Sequence, residues 1–386
     1  MARFDIIVVT DVRFSGGSAS AVIADVQAFS RLGLRTGLLF VTSHFFDGTE
    51  DRPNKDVLDL QALPGVEAVH AGDTPSAGTV FCHHPLPFFS GVRERLTITA
   101  DRAVIVAHHP PFRGDGSLEY DPMRTAAEVK RAIGMAPIWA PVSGVVRRQL
   151  RSFAPFLRMT SEDWVNAFDL GVWIPKRTAF SGDVPTVGRH SRPDLLKWPD
   201  RAADVTAPMP ADRGWRVRVM GCPETALQEM GADLSGWEVL PFGTEPVPQF
   251  VESLDVFAYF HGDRWVEAFG RTVVEAMLME RPCLLDRRLE ATFGTLADYC
   301  APSEAPAALE RLRATPAAVH ARAADVRRKV HDRYSIAEIG ARLTALEADR
   351  GTISRTGEKQ ASIPVTCRKL IGLRRREHAA RQEVSA

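Results

Sequence analysis

Two glutamates, Glu267 and Glu275, stand eight positions apart in the stretch WVEAFGRTVVEAMLMERP, residues 265 to 282. Glu275 sits inside Val-Val-Glu-Ala-Met-Leu, a run that otherwise reads as buried. A buried carboxylate is costly unless donors meet it, so Glu275 requires hydrogen-bonding partners. The pattern predicts a helix that begins near Phe269-Gly270. The first N–H groups of a helix lack partners and its dipole is positive at that end, a geometry suited to phosphate. Glycine at 270 permits close approach to the backbone. Glu267 precedes the helix and can face the same space. Glu275, one to two turns in, can accept hydrogen bonds from a pair of ligand hydroxyls.

A second stretch with chemistry is VGRHSRPDLLKWP, residues 187 to 199, which carries Arg189, Arg192 and Lys197. Arginine offers a planar fork of donors and lysine a mobile point charge. Two His-His-Pro sequences, FCHHPLP and IVAHHPPF, place His83, His84, His108 and His109 at the ends of predicted strands. They lack His-x3-His spacing and a neighbouring carboxylate cluster, so no metal site is predicted. In DVRFSGGSASAVIADVQAFSRLG, Gly16 and Gly17 form a strand-turn-helix that would turn backbone N–H groups toward a phosphate. The pattern is not G-x-G-x-x-G and reads equally well as a plain turn. Asp286, ending PCLLD, and Tyr299, in LADYC, occupy positions that are more often structural. Trp139, Trp164, Trp173, Trp198 and Trp265 are assigned to the core first, although indole faces also pack on sugar rings.

The elements that must position these residues follow from the hydrophobic pattern. Strands are predicted at 4–10, 35–41, 79–82 and 103–107, with helices at 19–32, 124–133 and 144–152. After a Pro/Gly-rich stretch the pattern restarts, with strands at 215–220, 237–240, 256–259 and 282–285 and helices near 223–230, 246–253 and 270–279. Residues 303–349 read as helical. Strands alternating with helices predict α/β units with parallel sheets covered on both faces. Ligands of such sheets bind beyond the carboxyl ends of the strands, so a cleft between two units is the expected site.

A chain of 386 residues suits two domains. The expected division is one α/β domain over 1–173, a second over 174–335, a helical segment over 336–350 and a tail over 351–386. Zero formal net charge gives no indication of nucleic acid as a partner. No stretch approaches the roughly 20 apolar residues of a membrane span, and the N-terminus lacks the pattern of a secretory signal, so a cytoplasmic location is expected. Five cysteines without CxxC spacing fit a reducing compartment rather than a disulfide framework or zinc site. The tail carries eight Lys/Arg against three Glu. It reads as a loose segment or one drawn to anionic lipid.

The sequence E-A-F-G-R-T-V-V-E resembles the E-x7-E motif of retaining glycosyltransferases with the GT-B fold, family 4 in particular, and the resemblance extends over residues 3 to 349. It implies two Rossmann-like domains facing across a cleft, with a helix after about 335 crossing back onto the first. Glu267 would meet the donor sugar, Phe269, Gly270 and Arg271 the sugar and phosphate, and Glu275 the ribose. Arg189 and Lys197 would neutralise the leaving diphosphate, with Arg192 in support. Gly16 and Gly17 match the family's N-terminal glycine loop. His108 would lie beside the reacting carbon, with His109 as the other candidate, while His83 and His84 would be acceptor-side or structural. The implied reaction is sugar transfer from a nucleotide-diphosphate sugar to an acceptor hydroxyl, with retention and without a metal or other cofactor. UDP-sugar is the favoured donor and GDP-sugar the second. The acceptor would be a saccharide or lipid-linked sugar in surface polysaccharide or glycolipid synthesis, with the basic tail at the inner-membrane surface. One departure is Glu280-Arg281-Pro282, where family members usually have glycine before the proline. It leaves open a non-catalytic GT-B subunit that binds a nucleotide or glycan; a nucleotide-sugar epimerase is the other rival.

Overall fold

The computed structural model describes residues 2–154, 156–351 and 362–384. Among them, twelve strands form two six-stranded sheets, and every pairing is parallel. The chain divides into two compact units. The first comprises Met1–Ala167 with Ile339–Ala386, and the second Phe168–Glu338.

The first sheet contains β1 (Arg3–Thr10), β2 (Thr36–Phe40), β3 (Val66–Val69), β4 (Ser76–His83), β5 (Thr99–Ala107) and β6 (Ile138–Pro141), in the order β3-β2-β1-β4-β5-β6. Residues Ile6 to Val9 of β1 are all buried, because helices cover both faces of a central parallel strand. The helix Gly16–Arg31 turns Val22, Val26 and Phe29 inward at helical spacing. Asp25 shares that buried face. β3 and β6 escape the hydrophobic pattern because each is four residues long, and β6 ends in proline.

The second sheet repeats this topology. It contains β7 (Thr186–His190), β8 (Arg216–Met220), β9 (Trp237–Leu240), β10 (Val256–Tyr259), β11 (Cys283–Asp286) and β12 (Asp298–Cys300), in the order β12-β11-β10-β7-β8-β9. Counted from the first strand of each unit, both sheets follow the doubly wound Rossmann order. Their switch points, where successive connections leave in opposite directions, lie between β1 and β4 and between β7 and β10. Gly188 in β7 is required by close packing, since a Cβ there would stand 1.9 Å from the Arg218 carbonyl oxygen.

The chain rejoins the first unit at Ile339, where helix Ile339–Ala348 packs against helix Gly16–Arg31. Residues 352–361 of the tail lie outside the described residues. Ile363–Val384 is a helix rather than the loose segment that the composition suggested. Thr366 Oγ1 donates to the Ala154 carbonyl at 2.5 Å, and Lys369 lies 4.6 Å from the Phe112 ring centroid. Among the described residues, no helix is long and apolar enough to cross a membrane.

Candidate functional site

In the second unit the expected residues converge on the switch point. Arg189 and His190 end β7, Tyr259 ends β10, and helix Arg271–Leu278 follows. Gly270 caps this helix at φ +79°, a left-handed conformation that glycine adopts without steric cost. A side chain there would also crowd the Phe293 ring at 3.1 Å.

Glu267 is half-buried and held by three donors. Tyr259 Oη donates to Oε2 at 2.6 Å, Trp265 Nε1 to the same oxygen at 3.1 Å, and the Gly270 backbone N–H to Oε1 at 3.2 Å. Burial would raise this carboxyl, but the Lys197 charge and the Tyr259 and Trp265 hydrogen bonds outweigh it and hold the pKa down to about 2. Glu267 is therefore a fixed anion at the mouth of the helix. Lys197 lies with its ammonium 5.3 Å from the Trp265 ring centroid. Burial lowers its pKa, and the Glu267 charge works the other way. Trp265, assigned to the core from sequence, is half-buried and part of the site.

Glu275 finds its partners within the protein. Arg271 Nε lies 3.1 Å from Oε1, and His190 Nε2 lies 3.2 Å from Oε2. Arg271 in turn stacks on Phe168, its guanidinium carbon 4.1 Å from the ring centroid. Arg189 is 1% exposed. Its guanidinium lies 4.3 Å from the Trp198 ring centroid and 4.2 Å from that of Tyr259, and Nη1 donates to the Phe260 carbonyl at 2.7 Å. Burial lowers the pKa of both Arg189 and Arg271. Among the described residues, Arg189 Nε and Nη2 and Arg271 Nη1 are enclosed donors without a hydrogen-bond partner. Such orphaned donors are costly, and the oxygens of an anionic ligand would satisfy them.

The remaining expected residues stand differently. Arg192 is exposed, within electrostatic reach of Lys197. Asp286 is committed to Arg288, accepting from its backbone N–H and Nε at 2.9 Å each. Arg288 then ties down the 261–263 loop through the His261 carbonyl at 2.7 Å. Asp286 thus holds a loop. Tyr299 lines a separate cavity of about 320 Å³ among β11, β12 and the helices Ala305–Ala314 and Pro316–Tyr334.

Glu280, the departure from the family pattern, occupies φ +57°. It ends the helix as glycine would. The Arg281 N–H bonds to the Ala276 carbonyl at 2.9 Å and the Glu280 N–H to the Met277 carbonyl at 3.1 Å, the paired closure of a Schellman motif. Arg281 is buried and fastens this terminus, donating to the carbonyls of Met279 and Leu254 at 2.7 and 2.9 Å and to that of Arg177.

In the first unit the histidines collect at the ends of β4 and β5, beside the other switch point. His83, His84 and His108 are buried. His83 Nδ1 lies 3.2 Å from His108 Nε2, and His84 stacks on Phe14 with centroids 4.2 Å apart. His84 takes φ +82°, a strained conformation for this residue, and accepts from the Leu86 N–H at 3.3 Å. His109 packs against His84, centroids 5.0 Å apart. Gly16, at φ +61°, and Gly17 open helix Gly16–Arg31, and a Cβ at Gly17 would meet open space. Among the described residues, no group of three or more His, Cys, Asp or Glu is arranged to hold a metal ion.

Sequence reasoning missed Tyr259, His190 and Asp25. Tyr259 and His190 end switch-point strands, where the ligand rule for open sheets directs attention. Asp25 had a fainter signal, a charged residue on an otherwise apolar helix face.

No protein-family model matches the sequence, and no curated protein matches it. Solved structures do. The structure of HepE from Anabaena in complex with UDP superposes with a TM-score of 0.62 at 14% identity, covering 89% of this chain and 99% of that one. HepE has also been solved with UDP-glucose. A glycosyltransferase from Rickettsia africae gives a TM-score of 0.62 at 11% identity, covering 90% and 97% of the two chains. The apo form of the lipopolysaccharide outer core galactosyltransferase WaaB gives 0.58 at 13% identity, covering 90% and 99%. At these identities the likeness shows the fold: α/β, with the two Rossmann-like units of GT-B glycosyltransferases.

Proposed function

We propose that the protein is a glycosyltransferase that moves a sugar from a nucleotide-diphosphate sugar to an acceptor hydroxyl, with retention at the anomeric carbon. The observation that carries this reading is the charge arrangement in the second unit. Three cations, Arg189, Lys197 and Arg271, outnumber the carboxylates Glu267 and Glu275 at the mouth of a helix. Enclosed donors on two of the cations have no hydrogen-bond partner among the described residues. A diphosphate supplies the missing acceptors and the missing charge, and its departure is favoured where charge develops against fixed donors. Glu267, kept ionised, is suited to grip hydroxyls of the donor sugar, and Glu275 those of the ribose. Phe269 and Gly270 present backbone to the sugar and phosphate.

HepE, solved with UDP and UDP-glucose, supports UDP-sugar as the first donor to test and GDP-sugar as the second. In this reading the cationic side chains and the helix dipole stabilise the leaving group without a metal. Residues 168–338 form the donor unit, and the first unit receives the acceptor, with His108, Gly16 and Gly17 as its candidate site residues. The acceptor is a saccharide or lipid-linked sugar. The helix Ile363–Val384, which exposes Ile363 and Ile371 beside Arg368, Arg374 and Arg375, meets the cytoplasmic membrane surface.

Calorimetric titration with UDP, GDP and ADP, with and without EDTA, tests this. Micromolar binding of one nucleotide, indifferent to EDTA, is expected. Absence of binding to all three would overturn the reading. Proton NMR of the product from the matching sugar donor then reads the anomeric configuration directly.

A further inference from the structure

The cavity of about 320 Å³ against β11 and β12 lies wholly within the second unit and apart from its switch point. Cys283 and Leu284, on its floor, open β11, whereas His190 and Tyr259 close β7 and β10. Protein interiors hold few voids larger than a water molecule, so a space of this size needs a cause. Small side chains keep it open: Ala297, Ala308, Ala318 and Ala323 stand where larger apolar residues would fill it. Burial pushes the Cys300 thiol up to about 11 and raises that of Cys283 as well, so both are uncharged wall. Tyr299 Oη is fully enclosed, so the tyrosine offers the cavity its ring rather than its hydroxyl.

The space is long rather than round. It follows one face of the helix Pro316–Tyr334, past Ala318, Val319, Arg322, Ala323 and Val326, and starts at the N-cap Thr315. From Thr315 to Val326 that face runs ~16 Å at the helical rise. The rim is cationic, with Arg311 and Arg322 exposed on it. Arg322 is committed to Asp298, its Nη1 standing 2.6 and 2.7 Å from the two carboxylate oxygens. Arg281, on the inner wall, directs its donors to the carbonyls of Met279, Leu254 and Arg177 and lies 3.6 Å from Glu252. Arg311 makes no ion pair or side-chain hydrogen bond among the described residues. Glu304, which shares its field, is taken by Arg287 and by the Ala301 N–H, at 2.7 Å each.

We propose that this cavity binds a medium-chain monocarboxylate, with the alkyl chain along the helix Pro316–Tyr334 and the carboxylate at Arg311. The elongated shape selects an alkyl chain over a fused ring system. The apolar wall lacks the donors and acceptors that a polar ligand body requires. A single uncompensated guanidinium matches a monoanion, and its planar fork suits a carboxylate. The site does not depend on the nucleotide-sugar reading, since no residue of the switch point takes part.

Calorimetry on the full chain with butanoate, hexanoate, octanoate and decanoate tests this. The Kd is expected to fall about 4-fold per methylene until the chain fills the cavity. Arg311→Gln, a change at an exposed side chain, should weaken octanoate about 10-fold and leave uncharged octanamide unchanged. Ala318→Trp, at the rim, should abolish binding of both while thermal unfolding stays cooperative. No binding at any chain length, an affinity indifferent to length, or octanoate binding untouched by both variants would each overturn the site. Phosphatidylglycerol vesicles supply the other source of an anionic alkyl chain. Vesicle binding that Ala318→Trp abolishes, with the free carboxylates inert, would assign the cavity to a lipid chain and overturn the free ligand.

Discussion

The two units carry the same strand order and set their polar side chains at equivalent switch points, yet they use opposite electrostatics. Around Glu267 three donors and a lysine keep a carboxylate ionised far below its usual pKa. Around His108 burial and like neighbours keep imidazoles neutral. Burial acts on both sites in the direction of the uncharged form; what differs is the supply of partners. Where a helix mouth, a tyrosine and an indole are aimed at one group, charge survives. Where rings face rings, it does not. One topology therefore supports a charged switch point and a neutral one.

The sharpest way to break the comparison is to remove the fixed anion. Glu267→Ala is expected to lower kcat 10²- to 10³-fold with the purified protein still folded, a loss typical of one positioned electrostatic group. Full activity in that variant would separate the anion from catalysis. Arg189→Ala comes next and differs from a surface change. Arg189 is packed between Trp198 and Tyr259, so its removal leaves a hole and should cost about 2–4 kcal/mol in chemical denaturation, as well as weakening donor binding.

The two sites should also separate by pH. A carboxyl with a lowered folded pKa contributes stability above its unfolded value and loses it only as pH falls toward the folded value. Glu267 should therefore leave donor affinity flat from pH 5 to 8. Asp25 has the reverse sign. Its folded pKa of about 7 stands well above the ordinary carboxylate range, so its contribution is fully present below the unfolded value and lost as pH rises through 7. Asp25→Asn should consequently stabilise the protein at pH 8, by about 2–4 kcal/mol, and change little near pH 4. Thermal melts at the two pH values check the sign, and equal shifts would sink the assignment. The smallest effect is expected at Glu280. Glu280→Gly relieves a left-handed residue and should stabilise by about 1 kcal/mol, seen as a modest rise in Tm with nucleotide affinity unchanged.

Legibility from sequence followed burial and length. FDIIVVT reads as a central strand because six of its seven residues are buried or apolar and β-branching favours extension. TVGRH does not, although all five residues are buried, since glycine, arginine and histidine break the apolar run. Glu267 and Glu275 were legible because a carboxylate among apolar residues is anomalous. Their partners were not. His190 meets Glu275 from a strand 85 positions earlier by residue number, and Asp25 meets Trp164 across 139. Pairings across such separations are set by strand order, which local pattern does not carry. The glycine missing at 280 was legible as a departure, but its meaning was not, because backbone conformation there is a property of the helix end rather than of the residue.

The return of the chain to the first unit at Ile339 has a bearing on synthesis. Helix Ile339–Ala348 covers helix Gly16–Arg31, Arg342 Nη1 donates to the Val165 carbonyl at 2.8 Å, and Arg102 Nη2 reaches the Glu347 carbonyl at 2.7 Å. None of these contacts can form until the ribosome has passed the whole of the second unit. The unit that emerges first is thus completed last, and through most of translation its helix face and the Val165 carbonyl awaiting Arg342 remain exposed. At elongation rates of about 5–20 residues per second, that interval is on the order of ten seconds or more. A released fragment ending at Glu338 should hold a finished second unit and a protease-sensitive first one.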